Sequence, residues 1–251
     1  MSAGRPNTAL FITCLADLFR PAIGFATVRL LEAAGCAVDV PMGQTCCGQP
    51  AHNSGDKVGA RALAIQTIRL LMDHDYVVVP SGSCAAMIRL HYPVLLAEDP
   101  EWAERARALA AKTWELTQFL HQVMQYDPIT DENPEKTAYL DSCSGLRELG
   151  ISGAPRALLK GSVLESGDSE TCCGFGGTFC VKYTGVSTAI ADKKLDRLAA
   201  TGATRVAGGD LGCLMHLAGR AARRGLDLRF RHVAEVLAGE THSPAIAAPE
   251  N

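Results

Sequence analysis

The sequence predicts an α/β protein of two pseudo-repeated modules, each a small parallel sheet flanked by helices, with cysteine loops at the C-terminal ends of the strands. Three observations predict it. The tripeptide Cys-Cys-Gly occurs twice, at Cys46-Cys47-Gly48 and at Cys172-Cys173-Gly174. Each pair lies between two further cysteines, Cys14 and Cys84 in the first half and Cys143 and Cys213 in the second, at steps of 32 and 37 residues and then 29 and 40. Short apolar runs stand just ahead of these cysteines and helical patterns fill the intervals, the alternation expected of parallel strands joined by helices.

In order, Thr8 to Thr13 reads as a buried strand ending at Cys14. Pro21 opens a helix and Gly35 closes it. Ala37 to Val40 is a second strand, and the loop Pro41 to Asn53 carries Cys46 and Cys47. Ser54 or Asp56 caps a helix running to about Met72, with Val58, Ala62, Ile65 and Ile68 or Met72 on one face. Tyr76 to Val79 is a third strand, leading into Pro80-Ser81-Gly82-Ser83-Cys84. His91 to Trp114 is mostly helical, and Glu115 to Met124 continues as helix. Tyr126 to Pro134 is a polar, proline-flanked linker.

The second half repeats the plan. Thr137 to Leu140 leads to Cys143, Ser162 to Glu165 precedes the loop of Cys172 and Cys173, and Thr204 to Ala207 leads to Cys213. Val186 to Ala199 is a helix stopped by Gly202. His232 to Leu237 matches Leu116 to Val123 at the end of the first half. The expected domains are a first module over 1–126, a second over 135–239, and a disordered tail over 240–251 that contains Pro244 and Pro249. Loops after successive strands of a parallel sheet share one edge, so cysteines about thirty residues apart meet at one point.

Charge is balanced at a formal −3 over 251 residues. No basic excess points to nucleic acid, no apolar run is long enough to span a bilayer, and Met1 to Ala9 lacks signal-peptide character. The expected compartment is the cytosol, where thiols stay reduced. Ten cysteines there read as packed residues or metal ligands, not as a disulfide framework. Their repeated spacing favours ligands: Cys14, Cys46, Cys47 and Cys84 for one site, Cys143, Cys172, Cys173 and Cys213 for the other.

Four thiolates suit a [2Fe–2S] cluster, a [4Fe–4S] cluster or structural zinc. Zinc motifs usually contain Cys-x-x-Cys. Here Met87 and His216 stand three residues after Cys84 and Cys213. Adjacent cysteines followed by glycines at 48, 174, 176 and 177 suit a cluster better, because backbone N–H groups can approach its sulfides. The expected cofactor is an iron–sulfur cluster, taken as [4Fe–4S], one or two per chain. Cys36 reads as a packed core thiol, and Cys180 is an additional candidate for ligation or redox chemistry. His216 reads as packing or a supporting hydrogen-bond donor, and His52 and His91 as ordinary. The glycines near Cys84 and Cys213 match neither phosphate-binding pattern. No Ser–His–Asp order or metallohydrolase signature is present, so electron transfer is favoured over hydrolysis.

The motifs Gln44-Thr45-Cys46-Cys47-Gly48-Gln49-Pro50-Ala51, Pro80-Ser81-Gly82-Ser83-Cys84, Cys172-Cys173-Gly174-Phe175-Gly176-Gly177-Thr178-Phe179 and Gly212-Cys213-Leu214-Met215 occur in an order that resembles the cysteine-rich CCG-domain family. That domain is shared by the heterodisulfide reductase B subunit and the glycolate oxidase iron–sulfur subunit, and the resemblance runs to the lactate utilization A branch. It covers nearly the whole chain, from Phe11 to Leu237. It implies an iron–sulfur electron-transfer subunit of a cytosolic complex oxidising L-lactate to pyruvate, working with a B-like subunit that carries further clusters and a C-like subunit. The chain departs from the heterodisulfide reductase pattern at Met87 and His216, which lack the fifth cysteine of each site. It also has Ser144 where relatives often have His. The competing readings are a thiol/disulfide redox enzyme acting at a cluster and a zinc-stabilised scaffold subunit.

Overall fold

The computed structural model describes residues 4–128, 135–167 and 169–248. The chain divides into two compact units, Met1–Tyr126 and Asp127–Asn251. The expected linker lies outside the described residues from position 129 onward.

The first unit holds four parallel strands, β1 (Asn7–Leu10), β2 (Ala37–Asp39), β3 (Tyr76–Val79) and β4 (Thr113–Glu115), in the order β2-β1-β3-β4. The second holds β5 (Thr137–Leu140), β6 (Val163–Leu164), β7 (Arg205–Gly208) and β8 (Arg229–His232), all parallel, in the order β6-β5-β7-β8. The central strands are covered on both faces and therefore read as continuous buried runs: Val77, Val78 and Val79 are wholly buried, as are Ala9 and Ala138. The edge strands β2, β4 and β6 span only two or three residues, which limits their open hydrogen-bonding side.

Two edge strands depart from the sequence reading. Thr113–Glu115, read as helix, is β4, and Arg229–His232 is β8. Each feeds a short helix, Leu116–Gln118 or Val233–Leu237, so the match between these two segments extends to a whole strand–helix unit. Both helices start on a side-chain cap: Glu115 accepts from Thr117 N–H at 2.8 Å, and His232 Nδ1 accepts from Ala234 N–H at 3.2 Å.

Pro21 precedes the helix Ala22–Ala33, which ends at Gly35 with φ +95°. The helix Lys57–Leu71 is capped by Asp56, whose carboxylate accepts from Gly59 N–H at 2.8 Å, while Ser54 closes the preceding helix Gln49–Asn53. Its buried face is Ala60, Ala64, Thr67, Ile68 and Leu71. The expected face was rotated from this one: Val58 is 82% exposed. Ala60 and Ala64 are buried although small, and apolarity alone did not single them out.

The segment after Gly239, expected as a disordered tail, packs against β8 as far as Ile246. Ile246 N–H donates to Phe230 O at 2.9 Å, and Arg231 Nη2 donates to Thr241 O at 2.7 Å. Ile246 is buried there. The tail supplies the cover that the polar edge strand lacks. Among the described residues no helix is long and apolar enough to cross a membrane.

An Asp56→Ala chain loses the side-chain cap of the longest helix of the first unit. It should lose about 1 kcal/mol of stability, read as a lower denaturant midpoint with unchanged m-value.

Candidate metal centre

In each sheet the strand order reverses between the two central strands, and in parallel sheets ligands bind outside the carboxyl ends of strands at such a point. Cys14 follows β1, Cys84 follows β3, and the Cys46-Cys47 loop follows β2. Cys143, Cys213 and the Cys172-Cys173 loop follow β5, β7 and β6 in the same way. The flanking cysteines were expected in loops, and here the structure corrects the reading. Cys14 starts the helix Cys14–Phe19, Cys84 lies in the helix Gly82–Ala86, and Cys213 lies in the helix Leu211–Arg223. Cys143 immediately precedes the π-helical turn Ser144–Glu148. The serines taken as loop residues are what start these turns: Ser81 Oγ accepts from Cys84 N–H at 3.3 Å, and Ser142 Oγ accepts from Gly145 N–H at 3.1 Å.

The four sulfurs of each set touch in series. Cys47 Sγ lies 3.3 Å from Cys84 Sγ, and Cys173 Sγ lies 2.8 Å from Cys213 Sγ. Cys46 is hydrogen-bonded by the thiols of Cys14 and Cys47, which hold its pKa far below the usual thiol range and push their own up. Cys172 is held down in the same way by Cys143 and Cys173, which are pushed up. Backbone N–H groups add to this: Gly48 donates to Cys46 Sγ at 3.4 Å, Gly174 to Cys172 Sγ at 3.3 Å, and Phe175 to Cys173 Sγ at 3.5 Å. All ten cysteines are free thiols. Among the described residues no group of three or more His, Cys, Asp or Glu side chains is placed to hold a single metal ion.

The donor set fits an iron–sulfur cluster: four soft sulfur side chains per site, with backbone N–H donors aimed at sulfur. Glycine is required at the turn itself. Gly48 and Gly174 adopt φ +87° and +86°. A Cβ at Gly174 would stand 2.5 Å from Ser187 O, against 3.4 Å from Ala60 O at Gly48.

The loops are fastened by residues to which the sequence reading gave no structural task; Gln44 and Gln49 stood there only within a motif. In the first unit Gln44 receives the Ile12 N–H at 2.9 Å and donates to Leu10 O at 3.0 Å, joining the Cys46 loop to the end of β1. Gln49 Nε2 reaches Ser83 O at 3.4 Å, and the buried Tyr92 hydroxyl donates to Cys47 O at 2.7 Å. In the second unit Arg156 does the joining. It grips Asp141 at 2.8 and 2.9 Å and Glu165 at 2.6 and 2.9 Å, spanning the ends of β5 and β6. Aligning the two copies of the repeat would have exposed Gln44 and Glu170, which both stand two residues ahead of a Cys-Cys-Gly.

Ser187 Oγ donates to Gly174 O at 2.8 Å and lies 3.2 Å from His216 Nε2. The single hydroxyl proton is engaged, so His216 Nε2 is the donor of that second bond. Burial lowers the His216 pKa and favours this neutral form. His216 thus supports the Cys-Cys-Gly turn, as expected. Met87 is wholly buried. Cys36 is wholly buried beside Met124, and Cys180 Sγ donates to Gly177 O at 3.1 Å. The Ser144 hydroxyl is engaged by Glu148 at 2.9 Å, and the His52 and His91 rings pack 4.8 Å apart.

A sequence model described as a cysteine-rich domain, CCG, matches residues 8–89 and again 137–218. The chain is 47% identical to lactate utilization protein A of Shouchella clausii (strain KSM-K16), over 92% of this chain and 98% of that one. It is 46% identical to the protein of the same name from Geobacillus thermodenitrificans (strain NG80-2), over the same shares. Against that of Bacillus cereus (strain AH187) identity is 43%, again over 92% and 98%.

Gly174→Ala should be far more disruptive than Gly48→Ala, because only the first forces a Cβ into a backbone oxygen; thermal unfolding of the two variants makes the comparison. Ser187→Ala strands a buried carbonyl and an imidazole donor. Its expected cost is about 1–3 kcal/mol, measured by denaturant unfolding.

Proposed function

Since the chain belongs to the cysteine-rich CCG family, we propose that it is the iron–sulfur electron-transfer subunit of a cytosolic complex that oxidises L-lactate to pyruvate. What carries the reading is the convergence, twice over, of four free thiols at the carboxyl rim of a parallel sheet. The names of the relatives supply the metabolic setting.

Cys14, Cys46, Cys47 and Cys84 hold one cluster, taken as [4Fe–4S], and Cys143, Cys172, Cys173 and Cys213 hold the other. A bound cluster supplies a one-electron store, so the two electrons that leave lactate can be accepted singly. The residues around it have distinct tasks. Gly48 and Gly174 bring backbone N–H groups to sulfur. Burial of Cys47, Cys84 and Cys173 keeps water from the inner side of each site. Gln44, Tyr92 and Arg156 hold the loops in register. Lactate binding and its proton chemistry belong to partners, for which the B-like and C-like subunits of the lactate utilization system are the fitting candidates.

Purified and reconstituted without oxygen, the chain should be brown and hold iron and acid-labile sulfide in equal amounts. Cys47→Ser and Cys173→Ser should each remove part of that iron. Zinc without sulfide under the same conditions overturns the reading in favour of a scaffold subunit. Deleting the gene should abolish growth on L-lactate.

A further inference from the structure

The two thiol sites are alike in ligands and unlike in charge. Four residues after Cys14 stands Leu18, and four residues after Cys143 stands Arg147. Arg147 lies on the turn Ser144–Glu148, and its Nη2 donates to Glu170 O at 2.6 Å, two residues ahead of Cys172. The guanidinium is thereby fastened between the two segments that supply Cys143 and Cys172. Its positive charge is held beside both segments. The nearest carboxylate on the same turn, Glu148, takes a hydrogen bond from Ser144 Oγ at 2.9 Å. In the first unit the corresponding Leu18 is 74% exposed and brings no charge.

We infer that Arg147 makes the second centre the stronger electron acceptor, so that it is reduced before the first. The inference rests on the proposed reading that each site holds a cluster. An electron added to a thiolate-bound cluster increases its negative charge, and a fixed cation stabilises the reduced form. Arg147 is exposed, so solvent screens it. Its effect on the ratio of reduced to oxidised centre is between about threefold and tenfold.

The test is a reductive titration of the full-length, anaerobically loaded chain, with the two midpoints followed by electron paramagnetic resonance. Dithionite supplies one electron per centre. In Arg147→Gln the higher midpoint should fall by at most about 59 mV, the one-electron equivalent of tenfold, while the lower one stays. Arg147→Lys keeps the charge and should keep the midpoint. Leu18→Arg, on an exposed position, should raise the lower midpoint. The inference is overturned if Arg147→Gln retains full iron and sulfide with both midpoints unmoved. It is also overturned if Arg147→Lys shifts the midpoint as far as Arg147→Gln. A Cys173→Ser chain that loses no iron would instead remove the reading of a second cluster, and the inference with it.

Discussion

Everything in this fold depends on one geometric constraint: parallel strands deliver the segments at their carboxyl ends to a single rim. Three strands of each sheet end within reach of one another, and each leads into a cysteine or a cysteine pair. Neither the helices nor the loops between them need any special chemistry for this. They need only the right length to bring the next strand back parallel. The ligand spacing of a compact zinc motif is unnecessary when topology does the gathering.

Convergence alone leaves loops free to move, and the two units restrain them differently. The first uses neutral groups: the Gln44 amide across two backbone groups and the Tyr92 hydroxyl on Cys47 O. Burial raises the Tyr92 pKa, so the phenol stays a donor. The second uses charge, with Arg156 held by Asp141 and Glu165 and by the face of Tyr139. Removing one partner from the well-buried Asp141 end would leave an unpaired carboxylate, the costly way to break such a pair. The two units thus reach the same mechanical end with unrelated side chains at different positions.

The parts legible in the sequence were those with a local signal. Buried central strands announce themselves as apolar runs, Tyr76–Val79 most clearly, and the paired cysteines by their repetition. β4 and β8 were invisible because Thr-Trp-Glu and Arg-Phe-Arg-His carry no apolar period, and their pairing is set by a distant neighbour strand. The tail was misread because Pro and small residues signal looseness locally, whereas Ile246 gains its burial from Phe230, a contact without any sequence proximity. Arg156 and Ser187 escaped notice, and Gln44 was seen only as part of a motif, for the same reason: an amide, a guanidinium or a hydroxyl acquires its task only from what folds against it.

The thiols that touch in series carry a liability of their own. Sulfurs already in contact need little movement to bond to each other, and an ionised member at the centre of each four is the reactive form. A newly made chain therefore faces two fates at the same atoms. On the proposed reading iron and sulfide fill the site, or an oxidant links two of the sulfurs into a cystine and seals it. Which comes first is a race, and the fold, by holding its ligands ready, quickens both runners.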